Sequence, residues 1–389
     1  MAKGISVAVG QQWAIYGNVK AKKAAPGCCL LATANKNQVQ VAADFRADGH
    51  AVLVTDQEGL AFTDEGFLDN IDGTILSDCD LFLAQNDLHR SILLKRYPAA
   101  RVVTAGNPRI DLLHTARHPP PLAEPYLLFN TSLALVNSVW GTEETASERL
   151  LSGAGITRQE VAERIRVERA CQRELETLLK WTIDTTALRI VIRPHPAENT
   201  RMWEDFATGS PKVTVVAGSD PTPWIQHARI MVHCDSTTGI EASILGTPCI
   251  NLAPIPSWSE RFIMRDVNTT VPSIASARQL IEALLAGDHW PDRRQNVSTF
   301  FPQGGGKATA QYIATALEGA NPLAPFGWHR AERTNEQRAK FSVSPEEFQQ
   351  RAARVFAGAG LTFAKGLGLS ILDDSLFLIC PGDQPPVFQ

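Results

Sequence analysis

Short apolar, β-branched runs recur along this 389-residue chain, separated by longer amphipathic stretches, and the series occurs twice. Such alternation demands βαβ units and mainly parallel sheets, because strands joined by helical crossovers return in one direction. The first series predicts strands at 5–9, 29–32, 51–54, 81–84 and 101–104, with a helix over 87–96. His118-Pro119-Pro120-Pro121, with Pro125 just beyond, cannot lie inside regular structure, since proline lacks an amide donor and restrains its neighbour. It marks the domain boundary. The second series predicts strands at 126–129, 189–192, 213–216, 230–233 and 249–252. Its clearest helix precedes Arg189: Thr157-Arg158-Gln159-Glu160 has the capping-box form, and Val161, Ile165, Cys171, Leu175 and Leu178 keep one apolar stripe. Further helices are expected at 275–286, 307–317 and 344–356. The expected fold class is α/β, with two Rossmann-like domains whose parallel sheets face a cleft. These are residues 1–120 and 121–320, followed by a C-terminal extension, 321–389, with one helix and scope to pack back on the first domain.

Composition removes several function classes. With 44% hydrophobic and 20% charged residues the chain is neither disordered nor collagen-like. A net charge of −4 argues against nucleic acid as the main partner, because phosphate neutralisation needs a basic surface. No stretch approaches the ~20 apolar residues of a membrane-spanning helix, and the first residues lack the apolar centre and cleavage site of a secretory signal. The seven cysteines are scattered and none forms C-x-x-C, which suggests neither a zinc site nor a disulfide framework. A reducing, cytoplasmic compartment is expected, with attachment to a membrane surface left open.

Two strand ends carry the chemistry. In Arg189-Ile190-Val191-Ile192-Arg193-Pro194-His195-Pro196-Ala197-Glu198, prolines stiffen the exit from a strand and hold Arg193 and His195 at its carboxyl edge, where guanidinium and imidazole suit an anionic oxygen. In His233-Cys234-Asp235-Ser236-Thr237-Thr238-Gly239-Ile240-Glu241-Ala242, a strand ends in a hydroxyl-rich turn and a helix begins near Thr238. That suits a phosphate at the positive helix end, with Ser236, Thr237 and Thr238 as added donors. Glu241 is placed either to accept from a ribose hydroxyl or to stabilise the first turn. Asp235 is either an N-cap or a nucleophile on a sugar carbon. Three further motifs follow strand ends by position only: Asp56-Gln57-Glu58-Gly59, Gly106-Asn107-Pro108-Arg109-Ile110-Asp111 and Asn130-Thr131-Ser132. Gln303-Gly304-Gly305-Gly306-Lys307-Ala308 departs from a P-loop at both ends and reads as a flexible loop entering a helix.

Together these motifs resemble bacterial surface-carbohydrate glycosyltransferases that use CMP-activated acidic sugars. Arg193-Pro194-His195-Pro196 is similar to their His-Pro motif, and Asp235 to Ala242, with Leu245-Gly246-Thr247-Pro248 after it, to their second nucleotide-binding segment. Asp56 to Gly59 and Gly106 to Leu113 look most like the retaining β-Kdo transferases of O-antigen (lipopolysaccharide) and capsule synthesis. The resemblance spans roughly residues 50–315. It implies a GT-B fold and no metal or other cofactor, with CMP-Kdo as donor substrate. His195 and the 236–238 turn would hold the CMP phosphate, Glu241 the ribose or base, and Asp235 would be the nucleophile. Glu58 and Arg109 would be further substrate-binding residues; the acid/base is unassigned, with Glu58 and His233 as candidates by their position alone. The implied partners are the CMP-sugar and a lipid-linked glycan acceptor, at the cytoplasmic face of the inner membrane or in an assembly complex. The alternatives are an inverting CMP-sialic acid or CDP-polyol transferase of the same fold and a non-catalytic nucleotide-sugar-binding module.

Overall fold

Fifteen α-helices and thirteen strands are defined in a computed structural model, which describes residues 7–10, 12–21, 26–56, 61–115, 117–154, 156–288, 290, 294–316, 344–358, 367–373 and 376–381. They fall into two units. The first draws on residues 1–60, 67–115 and 303–389, the second on 61–66 and 116–302.

In the second unit, β6 (Tyr126–Asn130), β7 (Arg189–Arg193), β8 (Val213–Val215), β9 (Ile230–His233), β10 (Cys249–Leu252) and β11 (Thr269–Val271) form one parallel sheet in the order β11-β10-β9-β6-β7-β8. The chain starts in the middle, builds outward on one side, then returns to build the other. The reversal lies between β6 and β9, and in open α/β sheets such a switch point opens a crevice at the carboxyl ends of the strands.

Alternation of side chains across the pleat makes two cores. Leu127, Phe129, Ile190, Ile192, Ile230, Val232, Ile250 and Leu252 face one way. There they meet Cys171, Leu175, Leu178 and Leu179 of α7 (Arg158–Thr185), Trp203 of α8 (Arg201–Thr208) and Ile281 of α12 (Ile274–Leu285). Tyr126, Leu128, Val191, Met231 and Cys249 face the other way, against Ile225 of α9 (Pro221–His227) and Ala242 of α10 (Thr238–Leu245). Each side chain so buried contributes about 1.5–3 kcal/mol before entropy is set against it. The expected capping box starts α7, with Glu160 N–H on Thr157 Oγ1 and Thr157 N–H on Glu160 Oε2. Leu245-Gly246-Thr247-Pro248 ends α10: Gly246 takes the left-handed conformation (φ 80°) and its amide reaches back to Ala242 and Ser243.

The first unit holds a parallel sheet of β2 (Cys28–Leu31), β3 (Ala51–Thr55), β4 (Leu81–Ala84) and β5 (Val102–Thr104), in that order. Three features here differ from the sequence expectation. The strand expected at 5–9 is β1 (Val7–Gly10), and it lies outside that sheet, pairing antiparallel with β13 (Leu376–Pro381), which pairs in turn with β12 (Leu367–Asp373). The hairpin at 367–381 went unseen because glycines break its apolar pattern. Finally, the segment read as a flexible loop at 303–308 is already helical from Gly305: α14 (Gly305–Ala316) starts there and groups with the first unit. Asp111, in α5 (Pro108–Thr115), accepts the amides of Gly304 and Gly306 at 2.7 Å each. Ala308, Tyr312, Ile313 and Ala316 then pack over Leu53, Leu83 and Ala105. The helix expected at 344–356 is α15 (Pro345–Gly358), capped by Ser344. Among the described residues no helix is long and apolar enough to cross a membrane.

Candidate active site

One row crosses the carboxyl edge of the second sheet. Asn251, His233, Asn130 and Arg193 are register partners on β10, β9, β6 and β7. The two clusters picked from sequence therefore leave strands on either side of β6, about two strand spacings, or ~10 Å, apart.

The turn after β9 is built from within. His233 is fully buried. Its Nδ1 accepts the Ser236 amide at 3.0 Å and its Nε2–H donates to Asn268 Oδ1 at 2.9 Å. Loss of solvent draws its pKa down to about 4, against the pull of Asp235 and Asn268. A neutral ring with both nitrogens engaged is a pillar, so His233 is not the acid/base. Asn268 continues the brace, donating to Gly239 O and Ser243 Oγ at 2.9 and 2.7 Å.

Asp235 is the one non-glycine with positive φ (46°) among the described residues. It does not cap α10; the Thr238 amide instead lies 3.4 Å from Ser236 Oγ. Its own amide donates to Asn251 Oδ1 (2.7 Å), and Asn251 Nδ2 donates back to Asp235 Oδ1 (2.7 Å). Arg265 grips the carboxylate with both edges of its fork, Nε on Oδ1 at 3.1 Å and Nη2 on Oδ2 at 2.8 Å, and the Ser259 hydroxyl donates to Oδ2. The side chains of Arg265 and Asp235 are 16% and 11% exposed, so the pair borders solvent rather than being sealed.

The hydroxyls of the next turn differ in availability. Ser236 Oγ and Thr238 Oγ1 bond each other at 2.9 Å, and Asn130 Nδ2 donates to Thr238 Oγ1 at 2.8 Å. The amides of Gly239 and Ile240 close short turns onto Ser236 and Thr237 carbonyls. Thr237 is exposed, while Glu241 is buried in the first turn of α10. Asn130 Oδ1 and Arg193 Nε are buried here with no hydrogen-bond partner among the described residues. Arg193 otherwise donates through Nη2 to Ser219 O, and burial lowers its pKa while Asp220 and Glu241 oppose the fall.

The loop after β7 is shaped by Glu198. Its carboxylate is 3% exposed and accepts from Thr131 Oγ1 (2.8 and 2.9 Å), Leu133 N (3.0 Å), His195 N (3.0 Å) and Trp203 Nε1 (3.0 Å). One acid thereby locks the exits of β6 and β7 together. His195 is exposed. Its Nδ1 accepts the Ala197 amide at 3.1 Å, which leaves Nε2–H as the outward donor. Crowding by protein and the charge of Arg193 lower its pKa, and Glu198 opposes them.

The second unit thus brings together Arg193, His195, Asp235, Ser236, Thr237, Thr238 and Glu241. Arg109 sits exposed on α5 in the first unit, and Glu58 lies outside the described residues. Sequence reasoning missed Asn251, Ser259, Arg265 and Asn268, and gave Glu198 no role. Asn251 had a signal, an amide in the otherwise apolar strand Cys249–Leu252; Ser259 and Arg265 had none. Among the described residues no three His, Cys, Asp or Glu side chains are grouped to hold a metal ion.

No protein-family model and no curated protein matches the chain. Solved structures do. A UDP-N-acetylglucosamine 2-epimerase is 17% identical over 80% of this chain and 79% of its own, with a TM-score of 0.50. The UDP-GlcNAc 2-epimerase of Neisseria meningitidis bound to UDP-GlcNAc is 16% identical, covering 78% and 79%, TM-score 0.50. The UDP-GlcNAc 2-epimerase of Methanocaldococcus jannaschii is 14% identical, covering 77% and 80%, TM-score 0.50. At such identity the likeness is one of fold: an α/β chain of two Rossmann-type units with parallel sheets, of the GT-B kind.

Proposed function

We propose that this chain is a glycosyltransferase that takes a CMP-activated acidic sugar, CMP-Kdo, and passes the sugar with retention to a glycan acceptor. One observation carries the proposal: at the sheet's switch point a single turn holds both a carboxylate, Asp235, and the start of a helix ringed by hydroxyls. Nucleotide-sugar chemistry needs those two together, a reacting group for the anomeric carbon and a seat for the departing phosphate. An epimerase of similar fold, solved with UDP-GlcNAc bound, supports a nucleotide-sugar as the ligand class.

An Asp235 oxygen attacks the anomeric carbon, the bond to the phosphate oxygen breaks, and the electron pair leaves with CMP. Arg193, His195 Nε2–H, the Thr237 hydroxyl and the α10 dipole stabilise that charge. An acceptor hydroxyl then attacks the glycosyl ester, Asp235 is regenerated and the hydroxyl proton passes to solvent or a basic group; two inversions give retention. Glu241 is assigned to the ribose or base, and Glu58 and Arg109 remain substrate-binding assignments of the first unit.

Intact mass spectrometry after mixing with CMP-Kdo should show one anhydro-Kdo residue on the wild type and none on Asp235→Ala, whose transfer rate falls about 10⁴-fold or more while CMP still binds. Full activity in that variant would overturn the nucleophile assignment. The four hydrogen bonds on Asp235 favour one rival reading, in which this carboxylate only shapes the turn and the enzyme inverts. Absence of an adduct together with an inverted product by NMR is its signature.

A further inference from the structure

Resting on that reading, we propose that Arg265 is a carboxylate-exchange latch that makes the site selective for acidic sugars. Held as it is, Asp235 is a poor nucleophile: Arg265 covers both oxygens in bidentate form, and Asn251 and Ser259 occupy a further position on each. To react, the carboxylate must lose the guanidinium without losing its aim. The geometry allows this. Asn251 grips Asp235 through both its backbone amide and its carboxylate, so the position survives when Arg265 lets go.

What releases Arg265 is decided by charge. A neutral sugar displacing the fork would leave a guanidinium and a carboxylate both unpaired in a largely desolvated place, which is strongly unfavourable. A sugar carrying its own carboxylate offers Arg265 the same bidentate partner it gives up, so the exchange preserves its hydrogen bonds. The guanidinium then holds the donor's carboxylate next to the anomeric carbon, and Asp235 is freed beside it. Admission of an acidic donor and exposure of the nucleophile become one event. The partial exposure of the pair gives the incoming group access.

The test is titration of CMP and CMP-Kdo into wild type, Asp235→Asn, Arg265→Gln and Arg265→Lys, with folding checked by thermal denaturation. Asparagine tolerates the left-handed backbone of position 235, so that variant keeps the turn. Removing the competing charge leaves Arg265 free, and Asp235→Asn should bind CMP-Kdo about tenfold tighter than wild type, a shift of roughly 1.4 kcal/mol, with CMP affinity unchanged. Arg265→Gln should lose the advantage of CMP-Kdo over CMP, and Arg265→Lys should regain part of it. A merely structural Arg265 would weaken both ligands equally. The latch is overturned if wild type prefers CMP-Kdo over CMP and both Asp235→Asn and Arg265→Gln keep the same preference. No preference in wild type removes the acidic-donor reading itself, and the latch with it.

Discussion

Replacing Gly239 by alanine sets two effects of opposite sign against each other. Gly239 is the second residue of α10, and in an unobstructed helix the change gains about 0.8–1 kcal/mol. Here the added methyl would stand 2.6 Å from His233 Cε1, and closer still to His233 Nε2 and Asn268 Oδ1. Those two atoms share a hydrogen bond, and their residues are 0% and 1% exposed. No flexible side-chain end can move aside, because Asn268 is also tied to Gly239 O and Ser243 Oγ. Either the His233–Asn268 bond breaks or α10 shifts outward. A broken buried pair costs about 1–3 kcal/mol and overpacking a similar amount. Taking the middle to the top of that range and subtracting the helix gain, the variant should be less stable by about 1–2 kcal/mol. Urea unfolding followed by tryptophan fluorescence reads this, since six of the eight tryptophans lie within 116–302. In an Asn268→Ala background, which removes one obstacle, the cost should shrink by more than about 1 kcal/mol. A Gly239→Ala protein as stable as wild type, or more stable, would refute the role given to the His233–Asn268 brace.

Two more outcomes follow from buried geometry. In the first unit, Gly305→Ala would place a methyl 2.7 Å from the backbone carbons of Gly106 and Asn107, so α14 should detach from α5. Hydrogen exchange across 305–316 should then speed up by at least tenfold while the second unit is unaffected. Glu168, on α7, accepts the Leu135 and Val136 amides at 2.8 and 3.1 Å, and burial raises its carboxyl from 4.5 to about 7, with nearby Glu198 adding to the rise. Below pH ~4.5 both folded and unfolded chains hold that proton. From there to pH ~7 only the unfolded chain releases it, so stability falls by about 1.4 kcal/mol per unit, roughly 3 kcal/mol in all. Glu168→Gln removes this loss, and its stability relative to wild type should rise between pH ~5 and pH ~8; a constant difference would contradict the raised pKa.

Much of the fold could be read from the chain because its signals are local. The box at Thr157–Glu160, the stop at Gly246 and the alternating faces of 126–130 and 230–233 each depend on neighbours a few residues away. The same holds for Arg193, His195 and the 235–241 turn, found because rigid or hydroxyl-rich sequences end their strands. The reading failed where partners are distant. Whether Asp235 caps α10 is not decided until Asn251, Ser259 and Arg265, which lie 16, 24 and 30 residues on, are seen on its carboxylate. His233 looks like an acid/base candidate until Asn268 and complete burial are seen.

Periodicity, caps and breakers act over one or two turns of chain, so the residue order alone determined the α/β class, the restart after Pro125 and the strand ends that carry the candidate site. Which side of the sheet each strand joins, which acid is pinned and which imidazole is buried depend on contacts across the fold. Only the tertiary structure decided those, because desolvation and charge pairing are properties of a place in space and not of a position in the chain.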